Sequence, residues 1–458
     1  MTATVSPAAA MARRTHDLLH APLLPTLLRL ATPNVIGLFA TTVVIGYDGY
    51  ILGRLGADAL AGVALVFPLL MLMMQMSNGG IGGAVAAAVA RALGGGRSDE
   101  ANRLAPHALL IAFVLAAVFT GVMLGFGRAI FGAMGGRAAA LDAALAYSNV
   151  LFAGAMAIWL PTILSAIVRG TGNMLLPSLV LTGTAAIHLV LCPLLVFGWG
   201  PVTGLGVAGA AISTLSTSVL GGLVLATHLV RGKGPLRLRR TGWGLRPELL
   251  RTILRVGAPA SLSPVLSNGS IAAATALIGS YGTAALAGYG VAARLEYIMV
   301  PIAFGFGTAL TTMVATNMGA GQHERALRAA WTGGLMVALI TGAIGSLAAI
   351  APALWMNHFS ADPAVLAFGS TYLRVVGACY GLFGLGLALF FASQGAGRMF
   401  WPLAGSLARV AVVAGGGWIA VHVFHAPSTG LFFVIAAGFA VYAATIGGAI
   451  WLGRWAQR

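Results

Sequence analysis

The sequence predicts an all-α, polytopic membrane protein with twelve transmembrane helices in two six-helix bundles. Three observations carry that expectation. Hydrophobic residues make up 59% of the 458, and charged residues only 8%. A soluble chain of this size needs a charged coat of roughly a quarter of its residues, so this one must be solvated by lipid. About twelve windows hold the roughly 20 apolar residues that a span requires. Finally, the chain repeats itself. Ala31-Thr32-Pro33 and Gly53-x-x-Gly56-x-x-Ala59-Leu60-Ala61-Gly62 return 226 residues later as Gly257-Ala258-Pro259 and Gly279-x-x-Gly282-x-x-Ala285-Leu286-Ala287-Gly288. Gly170, Gly172, Met174 and Pro177 return 225 residues later as Gly395, Gly397, Met399 and Pro402. A duplicated apolar half-chain is the pattern of a two-lobed membrane transporter.

The windows lie near 30–52, 59–90, 104–127, 145–168, 175–198 and 206–230 in the first half. In the second half they lie near 253–279, 284–316, 326–352, 369–393, 401–424 and 429–453. The second and eighth are long, which means a tilted helix or one that extends past the bilayer. The first apolar run is long enough to stay as a membrane helix, and no cleavable signal peptide is evident. The 64 glycines let such helices approach closely.

Arginine and lysine placement orients the spans. With the N-terminus inside, inner segments hold 20 cationic side chains and outer loops only Arg54, Arg128 and Arg137. Both termini are therefore expected in the cytoplasm, with the chain in the cell's inner membrane. Six spans per half leave both halves facing the same way, as parallel repeats. The basic stretch Arg231 to Arg251 separates them, giving an N-terminal lobe with linker over 1–240 and a C-terminal lobe over 241–458. A contact with anionic lipid is a second role for that stretch.

Several function classes are excluded. The net charge of +16 sits in loops on alternate sides of apolar segments, not on a wettable face that nucleic acid could use. Cys192 and Cys379 lie inside apolar runs and read as packed thiols. The only lysine, Lys233, precedes Gly234, so no Walker phosphate loop exists. His323-Glu324 continues with Arg325-Ala326, which is not a zinc-protease motif. A polytopic membrane enzyme is disfavoured, since no nucleophile or metal cluster is visible. No cofactor is expected, and transport would have to be driven by an ion gradient.

Only two acids, Asp48 and Glu296, lie within spans. A charged group at the bilayer centre costs at least ~2.5–3.5 kcal/mol on insertion scales, so such residues usually face a cavity and act. Asp48 shares a helix face with Thr41 and Asn34 at seven-residue steps, and Pro33 weakens the helix there. Two roles fit Asp48: an ion or proton site, and an interfacial acid near the outer headgroups. Glu296 follows Tyr289 by one heptad, with Arg294 close in sequence but on another face. Facing a substrate cavity and joining a buried ion pair both fit it. Thr184, His188 and Cys192 share one face of the fifth helix, where His188 can relay protons or simply pack. His422 and His425 read as surface residues.

In order and spacing these residues resemble the multidrug and toxic compound extrusion (MATE) family over nearly the whole chain. Pro33 followed by Asp48-Gly49, then Gly53-Arg54-Leu55-Gly56-Ala57-Asp58-Ala59-Leu60-Ala61, resembles its first helix and loop. Ala90-Arg91-Ala92-Leu93-Gly94, Arg169-Gly170-Thr171-Gly172-Asn173, Gly206 to Thr214 and Arg294-Leu295-Glu296 resemble later stretches in the family's order. The resemblance implies two bundles forming a V around a central cavity. It also implies exchange of drug-like, often cationic compounds for protons or sodium ions, with Asp48 in an N-lobe ion site. A monomer is expected.

One departure stands out. Where the family often has Asn and, four residues on, Asp before Pro, this chain has His188 and Cys192 before Pro193. Neutral imidazole and thiol are poor sodium ligands, which tilts the expectation toward protons. Sodium at Asp48 stays open, with Asn34 and Thr214 as the oxygen donors to test first. The main rival function is a flippase or exporter of a lipid-linked precursor or secondary metabolite; the family's wider relatives that flip lipid-linked precursors have about fourteen helices and a cationic cavity. Arg294 and Arg409 are the only deep cations here.

Overall fold

The computed structural model describes residues 7–200, 202–231, 244–453 and 455. The basic linker read between Arg231 and Arg251 lies outside the described residues over 232–243, as does the 240/241 boundary of the two expected lobes. A helix over Pro7–His20 precedes the spans.

Eleven described helices are long and apolar enough to cross a membrane. In the first half they are Leu23–Gly53, Ala57–Gly94, Ser98–Ala133, Leu175–Phe197 and Val207–Val230. In the second half they are Pro247–Gly279, Thr283–Gly319, His323–Ile350, Pro363–Ala396, Phe400–His422 and Ser428–Trp451. A pair bent by 49°, Ala138–Ala153 and Ala155–Gly170, makes the twelfth. It is the fourth in chain order, and its break falls at Gly154. All twelve apolar windows of the sequence thus coincide with helices, numbered here as the first to twelfth spans. Among the described residues the only strands form a hairpin between the fifth and sixth spans, where Gly198–Trp199 pairs antiparallel with Val202–Thr203. So short a connection makes those two spans antiparallel neighbours.

Within each half the same glycines make the same contacts. A Cβ on Gly62 would meet Ala140, Ala143 and Ala144, and one on Gly288 would meet Val365, Phe368 and Gly369. Gly170 abuts Ala86 and Val89, and Gly395 abuts Thr311, Val314 and Ala315. Nearly every residue in the second set follows its counterpart by 225 or 226 positions, so the duplication is one of packing as well as of letters. With little hydrophobic drive between helices inside lipid, such backbone approaches supply the dispersion contact that holds a bundle together.

The two halves meet at the arginine-rich end. There the second and eighth spans cross so closely that a Cβ on Gly94 would strike the Thr316 backbone, and one on Gly319 the Arg91 backbone. The crossing is two-fold symmetric in sequence, because Thr316 and Gly319 are the repeat counterparts of Arg91 and Gly94. Hydrogen bonds between the halves cluster at the same end. Arg91 Nη1 donates to Gly395 O at 2.8 Å, capping the last turn of the tenth span. Reciprocally, Thr312 Oγ1 donates to Arg169 O at the end of the fourth span at 3.3 Å. A π-helical turn at Met76–Gly82 interrupts the second span. Such a turn shifts the i→i−4 ladder, and Gln394 Nε2 from the other half donates to Gly79 O and Gly80 O at 2.7 and 3.2 Å. Asn34 Nδ2 donates to Thr308 Oγ1 at 2.8 Å one level further in.

Candidate functional site

Asp48 lies near the other end of the first span, five residues before its last residue, Gly53. Its neighbours come from the fifth and sixth spans. His188 and Cys192, one turn apart, present adjacent side chains on one face of the fifth span. The sixth span is brought against the fifth by Gly209, where a Cβ would collide with the Leu195 backbone. Ser213, one turn beyond Gly209, is thereby set beside the histidine.

The result is a largely buried chain of hydrogen bonds across three spans, with Asp48 half-buried at its end. His188 Nε2 lies 2.8 Å from Asp48 Oδ1, and Ser213 Oγ lies 3.0 Å from His188 Nδ1. Cys192 Sγ donates to the same Asp48 oxygen at 3.4 Å. In the neutral ring that donates from Nε2, Nδ1 accepts the serine hydroxyl proton. The His188 side chain is 3% exposed and that of Asp48 19%. One carboxylate, one imidazole and one thiol therefore offer ligand atoms all within 4.8 Å of one another.

The other residues expected at an ion site lie elsewhere. Thr41 is two turns from Asp48 along the same helix, roughly 10 Å by helical rise, and donates to Gly37 O. Asn34 is twice as far, and it joins Ser178 Oγ and Thr308 at the junction of the halves. Thr214 donates to Ala210 O along its own helix. The structure thus brings together Asp48 and His188 from the expected set, and adds Cys192 and Ser213. The sequence does carry a signal for Ser213: with Gly209 and Thr217 it forms a small-polar stripe at four-residue spacing.

A second polar centre lies in the other half. Glu296 Oε1 accepts from the Tyr372 hydroxyl at 2.7 Å and the Tyr380 hydroxyl at 3.3 Å, both on or beside the tenth span. Tyr289 packs edge-on against Tyr372, with ring centroids 5.2 Å apart. Arg409, buried in the eleventh span, lies over the Phe439 ring at 4.8 Å and the Phe383 ring at 5.8 Å. Arg294 is exposed and lies over Phe359 at 5.6 Å, away from Glu296. The two tyrosines were missed in the sequence, although their eight-residue spacing places them near one helical face.

Most of these side chains are buried, so the two centres are hydrogen-bonded networks inside an apolar bundle. Sodium fits the first one poorly. It binds through hard oxygen donors, whereas Asp48 is met here by nitrogen and sulfur. The Ser213 side chain is fully buried.

The family model described as MatE matches residues 33–194 and again 259–419, the two segments offset by the period of the internal repeat. A "Probable multidrug resistance protein NorM" of Deinococcus radiodurans is 30% identical over 449 residues, 95% of each chain. A "FAD transporter" of Shewanella oneidensis is 28% identical over 388 residues, 82% of this chain and 83% of the relative. Among solved structures, "MATE in complex with MaD3S" superposes with a TM-score of 0.87 at 25% identity, covering 96% of this chain and 98% of that one.

Proposed function

From the premise that this chain belongs to the MatE family, as a multi-pass transporter of that fold, we propose that it exports drug-like, often cationic organic compounds in exchange for protons. The observation that carries the reading is the junction of the two halves at one end. The crossing of the second and eighth spans, with its reciprocal caps, joins the halves at the arginine-rich end. The positive-inside rule makes that end cytoplasmic. In an alternating-access cycle this arrangement is the one held shut at the cytoplasmic end, in the inner membrane of a bacterium, acting as a monomer. Relatives named for multidrug resistance support the substrate class.

The donor set at Asp48 favours the proton over sodium as the driving ion. One charge crossing ~100 mV gains about 2.3 kcal/mol, and one pH unit adds about 1.4. A single proton driving out a neutral drug therefore supports a gradient of several hundredfold, and one exchanged for a monocation about tenfold per pH unit. Everted vesicles given a pH gradient but no sodium are expected to move drug. Transport only under an imposed sodium gradient would overturn the proton reading.

A flavin-type anionic substrate is the second reading. It rests on the relative named as a FAD transporter and on the buried cation Arg409. Competition between FAD and a cationic dye in the same vesicles separates the two.

A further inference from the structure

We propose that Asp48, His188 and Cys192 form a binding site for a soft divalent transition-metal ion, Zn²⁺ in particular. The inference goes beyond the transport reading and does not depend on it. Three features of the cluster carry it. The donors are one carboxylate oxygen, one imidazole nitrogen and one thiol sulfur, the set that selects zinc-like ions over sodium, magnesium or calcium. Their spacing fits as well. Zinc bonds of about 2.0–2.3 Å at tetrahedral angles place ligand atoms roughly 3.3–3.7 Å apart. Here Sγ to Oδ1 is 3.4 Å and Nε2 to Oδ1 is 2.8 Å, with all three atoms inside 4.8 Å. Opening the histidine–carboxylate contact by about half an ångström admits the ion.

The third feature is the support behind the histidine. A metal-bound imidazole needs its other nitrogen held by a partner, and Ser213 Oγ stands 3.0 Å from Nδ1. When Nε2 takes the metal, the ring proton moves to Nδ1 and is donated to Ser213 Oγ, whose own proton turns away. The Cys192 thiol must ionise to bind, so its proton leaves to solvent and binding weakens as pH falls. Three protein ligands leave a fourth tetrahedral position for water.

Cobalt(II) is the probe, because it reports thiolate ligation directly. Purified full-length protein in detergent is titrated with Co²⁺, then with Zn²⁺ as competitor. The expected result is a sulfur-to-cobalt charge-transfer band that Zn²⁺ removes. Cys192→Ser should abolish the band, His188→Ala should weaken binding tenfold or more, and Ser213→Ala should weaken it by about tenfold. Cys379→Ser, which changes the only other thiol, should leave it unchanged. A second measurement uses the unmutated protein: Zn²⁺ should slow alkylation of Cys192 and not of Cys379. No charge-transfer band, a band that persists in Cys192→Ser, or Cys192 alkylation indifferent to Zn²⁺ would each overturn the site. Loss of drug export in vesicles, by contrast, bears only on the transport reading.

Discussion

Asp48 is the residue on which the first polar centre converges, because a single carboxylate oxygen meets both His188 and Cys192. Asp48→Asn keeps the shape and removes the ionisable group. Export driven by a pH gradient should fall at least tenfold, to background, while yield and the thermal unfolding profile stay near those of the parent. An Asn variant that pumps at the parental rate would remove Asp48 from the coupling role. Glu296 is different in kind, since two tyrosine hydroxyls already satisfy one of its oxygens. Glu296→Gln should weaken export of cationic drugs by several-fold and leave neutral ones nearly unaffected. A hydrogen bond to a charged group is worth about 1.5–3 kcal/mol, so an equal loss for both drug classes, with reduced expression, would mark a structural role. His188 and Cys192 were visible in the sequence as a departure from a family pattern. Ser213, Tyr372 and Tyr380 were not, because a hydroxyl on an apolar helix gives no sign of the partner it faces.

At the scale of the element, the junction of the two halves depends on glycine. Gly94 and Gly319 have no side chain to spare where the second and eighth spans cross. Replacing Gly94 by Val puts branched carbon into the Thr316 backbone, so the spans must part. The variant should shift the population away from the closed arrangement. A cysteine placed at Asn317, buried in this junction, should then react with a membrane-impermeant thiol reagent several-fold faster than in the Gly94 parent. Equal reactivity in both backgrounds would show that the crossing is not the seal. The π-helical turn at Met76–Gly82 belongs to the same junction, and no apolar periodicity announces it. Its glycines are legible, but a π turn is stabilised by the partner that fills it, here Gln394 from 315 residues away. The break at Gly154 was equally hidden, since an apolar run reads the same whether the helix is straight or bent.

At the scale of the whole molecule, the halves move as bodies only if the junction opens. Asn34 and Thr308 touch across it, with 2.8 Å between their polar atoms. Cysteines at both positions, joined by a short bifunctional thiol reagent that can be reduced, should arrest export. Reduction should restore it, and neither single variant should respond to the reagent. Export that continues after verified cross-linking would show that transport does not require the two halves to part there.

The sequence by itself determined the number of spans, their approximate limits, their duplication and the family. Each of these follows from local apolar content or from letters repeated at a fixed interval. It also marked Asp48 and Glu296 as acids inside apolar windows, where their cost in lipid makes such residues rare. Tertiary structure alone decided which polar groups share a site. Asp48 and His188 are 140 residues apart and Glu296 and Tyr372 are 76 apart, and the pairing depends on how each helix is rotated in its bundle. Helix rotation is set by close approaches such as Gly209 against Leu195. Those depend on both surfaces at once, and no single stretch of sequence contains both.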